Sequence, residues 1–337
     1  MAGSVNTPPN KDIRWEKTTT VNVGVDFALF RHRLSGTIEY YNKYSVDLLA
    51  AINGSPTQGF GYTTLMTNNG KMVNRGVEIT LSGEIIRQKD FSWNASLLYA
   101  FNRNKVKHIS VQPSLWDSRI SMPTSYLMVG KPLYGIYAYK WAGLNENGDP
   151  QVYDAENNVT SGPARDYHAL VYCGTTVPIH NASLTNVLRY KGLEFSAMLI
   201  LDAGHKLRSS NIPSINMSNG RITSTAKGIV DRWTQPGDVT DVPRLLFSND
   251  TENFNTHRTE LYRYSDLFVY DASNIRLSNI SLAYRVPAHW CKKISLSGAR
   301  LQFNVENVAT FAFDSKANYD LGGKVKPNYV WGLYLNF

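Results

Sequence analysis

Charge is scarce in this sequence. Asp, Glu, Lys and Arg make up 18% of 337 residues, below the roughly 25% usual for soluble domains. Cysteine is nearly absent: Cys173 and Cys291 stand far apart, without CxxC or Cys/His ligand spacing, so two unpaired thiols is the plain reading. Long apolar runs are missing too. The best, "FSAMLIL" at 195–201, is far short of the roughly 18 residues a membrane helix needs. That excludes a helical membrane protein but not a barrel, whose alternating strands leave only a weak hydropathy trace. Residues 1–20 hold no basic-flanked apolar run with a small-residue cleavage site, so no signal peptide is read there. Enzyme motifs are also lacking: there is no HExxH, Gly-x-Ser-x-Gly or Walker-type loop, and nothing sets two carboxylates across a cleft. No catalysis and no cofactor are therefore expected. Lys plus Arg exceeds Asp plus Glu by 35 to 27, a net charge of +8. The basic residues are scattered rather than gathered, which argues against nucleic acid and suits a surface facing lipid phosphates.

What is abundant is aromatic side chain and a rhythm of two. Aromatics reach 12%, led by 20 Tyr. In "TVNVGVDFALF", Val21, Val23, Val25, Phe27 and Leu29 share one face, opposite Asn22, Gly24, Asp26 and Ala28. "GVEITLSGE", "WNASLLYAF", "LEFSAMLIL", "NISLAYRV" and "RLQFNVEN" repeat the pattern. So does the end of the chain, "PNYVWGLYLNF", where Tyr329, Trp331, Leu333, Leu335 and Phe337 alternate with Val330, Gly332, Tyr334 and Asn336. Period two over so many segments predicts strands with one apolar and one polar face. A soluble sandwich alternates in the same way. Two features favour a transmembrane barrel. The strands read about 9–11 residues, the length that crosses a bilayer tilted. Aromatics also gather near strand ends (Tyr40, Tyr41, Trp93, Phe101, Tyr190, Tyr284, Trp331, Phe337), where an interfacial girdle forms.

The connections sharpen the choice. "FRHRL", "IRQKDF", "RYKGL" and "PAHWCKKISLSG" are short, whereas 45–72, 104–132, 143–181, 204–273 and 309–328 read as long and irregular. Short turns alternating with long loops is the pattern of an outer-membrane barrel with its loops outside. Strands are expected at 20–29, 33–44, 73–84, 92–103, 182–190, 193–203, 274–286, 299–308 and the C-terminus. A further pair at 133–142 and near 167–174 would raise the count from nine to eleven. Either number is odd. Single-chain bacterial barrels have even counts, and an open edge cannot sit in lipid, so the chain reads as the back part of a barrel.

The residues then become familiar. "IRWEKTTTVNVGVDFALFRHRLSGTIEYYNKYSVDLL", "NNGKMVNRGVEITLSGEII" (Asn69, Gly70, Asn74, Gly76, Val77, Glu78), "FNRNKV", "YGIYAYKWAGLNENGDPQVYD", "DRWTQPGD", "IRLSNISLAYRVP", "VENV" and "GLYLNF" together resemble, in order, the C-terminal portion of SusC/RagA-type TonB-linked outer-membrane proteins. The resemblance runs from about Ile13 to Phe337. It implies an all-β fold: nine to eleven strands of an antiparallel transmembrane barrel of about 22, with long extracellular loops and without the plug and TonB-engaging segment. Residues 1–19 would be a loop remnant and 20–337 barrel strands and loops. The implied function is TonB-dependent import of an oligosaccharide or peptide across the bacterial outer membrane, with a SusD-like surface lipoprotein, the TonB system and membrane lipid as partners. Phe337 would be the assembly signal. The alternative from another class is a secreted or surface β-sandwich that binds glycans.

Candidate sites follow. Trp233, Tyr262, Tyr264 and Tyr270, in the 204–273 loop, are candidates to stack on substrate or meet the lipoprotein; packing of the loop against itself is the competing reading. "TAKGIVDRWTQPGD" reads as a short amphipathic helical turn. Glu78, Arg285, Arg300 and Glu306 are candidates to line the lumen. In "LNENGDPQVYDAENN", the oxygens of Asn145, Asn147, Asp149, Asp154 and Glu156 could suit Ca²⁺. No complete ligand loop is present, however, and Asn-Gly and Asp-Pro are turn formers, so no metal is expected.

Overall fold

A computed structural model describes residues 10–53, 64–109, 128–162, 166–217, 226–247, 257–322 and 326–337. Its main feature is a nine-stranded sheet. The strands are β1 (Lys17–Leu29), β2 (Leu34–Asn53), β3 (Thr64–Arg87), β4 (Phe91–Ile109), β5 (His180–Tyr190), β6 (Leu193–Ala203), β7 (Asn274–Arg285), β8 (Gly298–Ala312) and β9 (Asn328–Asn336). Each pairs antiparallel with its neighbour in the sequence, so the sheet is an unbroken meander.

Register turns the alternation of each strand into two continuous faces, because directly paired residues of an antiparallel ladder point the same way. Across β1–β4, Val25 meets Ile38, Ile38 meets Ile79 and Ile79 meets Tyr99. The row continues as Tyr99–Ala182 and Ala182–Leu201, and near the other edge as Phe195–Leu282, Leu282–Phe303 and Phe303–Trp331. The Phe303 and Trp331 rings lie 4.2 Å apart by centroid. This apolar face is open: Val23, Val25, Leu282, Leu301 and Leu333 are exposed. A soluble sandwich would cover it with a second sheet, and among the described residues none lies over it. The β-sandwich alternative is set aside on this ground.

The nine expected strands are present, but several run longer. β3 has 24 residues and β2 has 20, against roughly 9–11 for a bilayer crossing. Most of the expected loop at 45–72 is therefore a tall hairpin; its tip, 54–63, lies outside the described residues, as does 110–127 of the expected 104–132 loop. β8 likewise continues to Ala312 and β1 begins at Lys17. The further pair does form: Gly135–Tyr139 pairs with Leu170–Thr175. It makes a separate two-stranded sheet rather than two more wall strands.

At one end of the sheet the connections are tight. Phe30, Arg31 and His32 turn with φ of 54°, 57° and 65°, and Lys191 with φ 52°. The Lys191 N–H donates to the carbonyl of Asp90 (2.8 Å), tying two neighbouring turns together. At the other end the connections build their own structure. Trp141–Leu144, Pro150–Tyr153 and Val159–Thr160 make a three-stranded sheet, and a helix covers Arg258–Arg263. The helical turn expected at 225–238 is a short 3-10 turn, Lys227–Asp231.

Candidate functional site

The polar face carries the first set of candidates. Following the register, Glu78 stands opposite Glu39 and Ala100, Arg285 opposite Arg300, and Glu306 opposite Asn279. All four candidates share the face opposite the apolar rows. Neighbouring polar side chains satisfy one another along it. Thr37 donates to Asp26 (2.6 Å), Asn181 donates to Asp202 (2.7 Å), and Asn328 donates to Glu306 (3.2 Å). Near the tight turns, Glu194 accepts from both Arg189 (2.7 Å) and Arg300 (3.2 Å). Arg285 shares this cavity of about 200 Å³. One carboxylate among several cations leaves this cavity net basic.

The loop end carries the second set, and its organisation comes from buried charge. Asp149 follows a turn in which Asn145 Oδ1 accepts from the N–H groups of Asn147 (3.0 Å) and Asp149 (2.9 Å). Gly148 takes φ +73° there, and the Trp233 indole packs so closely that an added Cβ would come within 2.4 Å of it. The turn thus aims the Asp149 carboxylate at two arginines of the 204–273 segment. Arg244 binds it twice, at 3.2 and 2.8 Å, and Arg258 Nε meets it at 3.2 Å. Arg258 is 1% exposed and also donates to the Ile215 carbonyl (2.9 Å), Asn216 Oδ1 (2.8 Å) and the Arg244 carbonyl (2.6 Å). Burial presses its pKa down, and Asp149 opposes that push. A buried guanidinium survives only when its donors are filled, and this one is filled by two loops at once.

A second arginine does similar work. Arg208 donates to the Tyr137 carbonyl (2.7 Å) and lies over the Tyr264 ring at 5.2 Å. Apolar packing fills the rest: Tyr137, Tyr139, Val152, Leu170 and Leu261 form one cluster, and Ile215, Tyr262 and Phe268 another. Trp141 connects them, donating through Nε1 to Asp241 (2.9 Å) and packing on Tyr262. Burial raises the Cys173 thiol to about 11, which keeps it protonated and unreactive.

The four aromatic candidates are placed differently from one another. Tyr262 is 2% exposed and stacked edge-on to Phe268; enclosed in this way, it packs the loop and has no free face. Trp233 is half-buried over Gly148. Tyr264 is half-buried beneath Arg208 and Arg263, and Tyr270 is half-buried beneath Lys316 at 5.9 Å. Each of these rings already meets a partner within the chain. Sequence reasoning missed the Asp149–Arg244–Arg258 clasp. Its members lie up to 109 residues apart, and no local spacing could have joined them. The oxygens of Asn145 and Asp154 are spent on turns, Asp154 Oδ1 accepting from Glu156 (3.0 Å) and Asn158 (2.7 Å).

One antiparallel sheet, apolar on one face and polar on the other, with tight turns at one end and folded loops at the other, defines the wall of a transmembrane β-barrel. The chain belongs to the TonB-dependent receptor β-barrel family: residues 1–308 match the family described as "TonB dependent receptor-like, beta-barrel". Members are outer-membrane barrels, and this chain is a stretch of such a wall. TonB-dependent receptor P3 of Formosa agariphila is 25% identical over 346 residues, which covers 96% of this chain and 33% of that protein. TonB-dependent receptor SusC of Bacteroides thetaiotaomicron is 25% identical over 312 residues, covering 88% of this chain and 29% of that protein. The chain thus spans about a third of the length of these curated relatives. Among solved structures, the RagAB peptide transporter superposes with a TM-score of 0.77 at 22% identity, over 99% of this chain and 37% of the other. The RagAB peptide importer in its open-open state gives 0.73 at 22%, over 99% and 36%. These likenesses concern the fold.

Proposed function

We propose that this chain supplies the C-terminal part of the barrel wall of a SusC-like importer, which takes up an oligosaccharide or peptide with energy delivered by the TonB system. The two-faced sheet carries the reading. Its apolar rows meet lipid, and its polar face, with Glu78, Arg285, Arg300 and Glu306, lines the passage and meets a plug. Among the described residues β1 and β9 each pair on one side only. Open strand edges are untenable in hydrocarbon, so further strands complete the wall. The outer loops, clasped through Asp149, form a platform beneath a SusD-like lipoprotein, and the exposed parts of Trp233, Tyr264 and Tyr270 are offered to that lid or to substrate. The names of the relatives support this, SusC and the RagAB transporter among them. No catalytic step is proposed.

The test is uptake. A strain lacking the polypeptide that carries this chain is fed radiolabelled oligosaccharide mixtures and peptide mixtures. Loss of accumulation of one class, restored by the gene and abolished again without TonB, is the expected result. Unchanged accumulation of both classes would remove the importer reading.

A further inference from the structure

The apolar face does not end in neutral residues on the loop side. On β4 the row Trp93, Ala95, Leu97, Tyr99 and Phe101 continues, on the same face, as Arg103 and Lys105. With ~3.3 Å per residue and a tilt of about 40°, Trp93 to Phe101 rises about 20 Å, most of the ~25 Å apolar band of such barrels. Arg103 and Lys105 therefore stand just beyond its outer edge.

They are not alone. Arg75 of β3 is the direct cross-strand partner of Arg103. Like charges directly opposite one another destabilise a ladder. Lys131 joins them from the segment that pairs with the outer end of β4, where the Val106 N–H donates to the Lys131 carbonyl (2.9 Å). Its ammonium lies 4.6 Å above the Tyr172 ring. Arg103, Lys105, Lys131 and Tyr172 line one cavity of about 160 Å³, with Val177 and Pro178 at its side and no carboxylate in its wall. None of the four cations makes an ion pair among the described residues, although eight other Lys or Arg side chains there do pair with a carboxylate. β4 lies in the interior of the sheet, so the strands that complete the wall add at its edges and leave this face toward lipid.

We propose that Arg75, Arg103, Lys105 and Lys131 form a site for the phosphate of an outer-leaflet glycolipid. The chemistry selects it: an uncompensated cationic row at headgroup height, with apolar side chains directly below for acyl chains, matches an anionic amphiphile. A planar guanidinium forks onto phosphate oxygens and lysine adds point charge. The inference goes beyond import and rests only on the outward face meeting lipid.

The test uses the complete polypeptide carrying this chain, purified in non-ionic detergent and examined by native mass spectrometry. The added probes are monophosphoryl lipid A, its dephosphorylated form and inorganic phosphate. The wild type is expected to retain the phosphorylated lipid and not the dephosphorylated one. R103Q/K105Q is expected to lower its affinity about thirtyfold, the effect of removing two cations at a lipid surface. The charge-preserving R103K/K105R is expected to retain it, which separates charge from folding. Three results would overturn the proposal: equal retention of both lipids by the wild type, undiminished binding by R103Q/K105Q, or displacement of the lipid by equimolar inorganic phosphate, which would mark a free-anion site. Undiminished lipid binding by R103Q/K105Q together with loss of an association between copies of the polypeptide would assign the row to a protein interface.

Discussion

Arg258 holds a full positive charge in a site almost sealed from water, and the outer loops owe their arrangement to how that charge is satisfied. Asp149 is its counter-ion and is shared with Arg244. Removing one partner strands the other, a loss of about 3 kcal/mol or more for a buried pair. Asp149→Ala is therefore expected to loosen the segments around Ile215, Arg244 and Arg258 while leaving the wall intact. Hydrogen exchange should show faster exchange there and unchanged protection in β6 and β7. Asp271 gives a pH-dependent counterpart. Burial alone would raise its carboxyl, but hydrogen bonds from Ser273 and the Lys206 ammonium (3.0 Å) hold it down at about 2. Its folded pKa lies below the unpaired value of 3.8. The contribution is then fully present above that value and is lost as pH falls toward 2. Protection factors in Lys206–Arg208 and Val269–Asp271, referred to the intrinsic exchange rate at each pH, should fall across that window, and Asp271→Asn should abolish the fall.

At the scale of the strand, the face a residue occupies decides what a charge costs. Leu199 of β6 lies on the apolar face and Ser196 on the polar one. An arginine near the middle of the lipid face costs about 2–4 kcal/mol. Leu199→Arg should therefore lower the urea midpoint of refolding into vesicles markedly, and Ser196→Arg should change it little. The same alternation made the wall legible in the sequence. Wherever lipid meets one face and water the other, as in Val21–Leu29 or Val77–Leu81, hydrophobicity has period two. It failed where both faces leave the membrane. Val46–Asn53 and Thr64–Met72 belong to a tall hairpin yet read as loop, because no hydrocarbon imposes alternation there, and Asp47, at φ 57°, sits at an irregularity in the pairing. Glu78, Arg285, Arg300 and Glu306 could be placed on the polar face by parity alone. The loop aromatics could not, since their exposure depends on partners such as Phe268 for Tyr262 and Gly148 for Trp233.

At the scale of the molecule, the last strand leads to Phe337, the residue expected from the sequence to signal assembly. Trp331, Leu333 and Leu335 pair with Phe303, Leu301 and Ala299 on the apolar face. Phe337 lies just past the strand, exposed, with its carbonyl accepting from Ser297 (3.3 Å). As the proposed assembly signal, Phe337 should matter in the cell and not in the test tube. Phe337→Ser is expected to reduce the amount recovered in outer membranes severalfold while leaving detergent refolding unchanged; equal recovery would assign it to packing alone.

The central claim is that one face of this sheet meets lipid and the other meets water, and spin-label accessibility along β6 tests it most directly. Single cysteines are placed from Glu194 to Leu201, in a background with Cys173 and Cys291 replaced by serine, and labelled in reconstituted membranes. Phe195, Ala197, Leu199 and Leu201 should collide with oxygen, which concentrates in lipid. Glu194, Ser196, Met198 and Ile200 should collide with a water-soluble nickel chelate. Accessibility that rises and falls with period two, in opposite phase for the two reagents, is the predicted result. Uniform access to the chelate at all eight positions, or the reverse phase, would contradict the account.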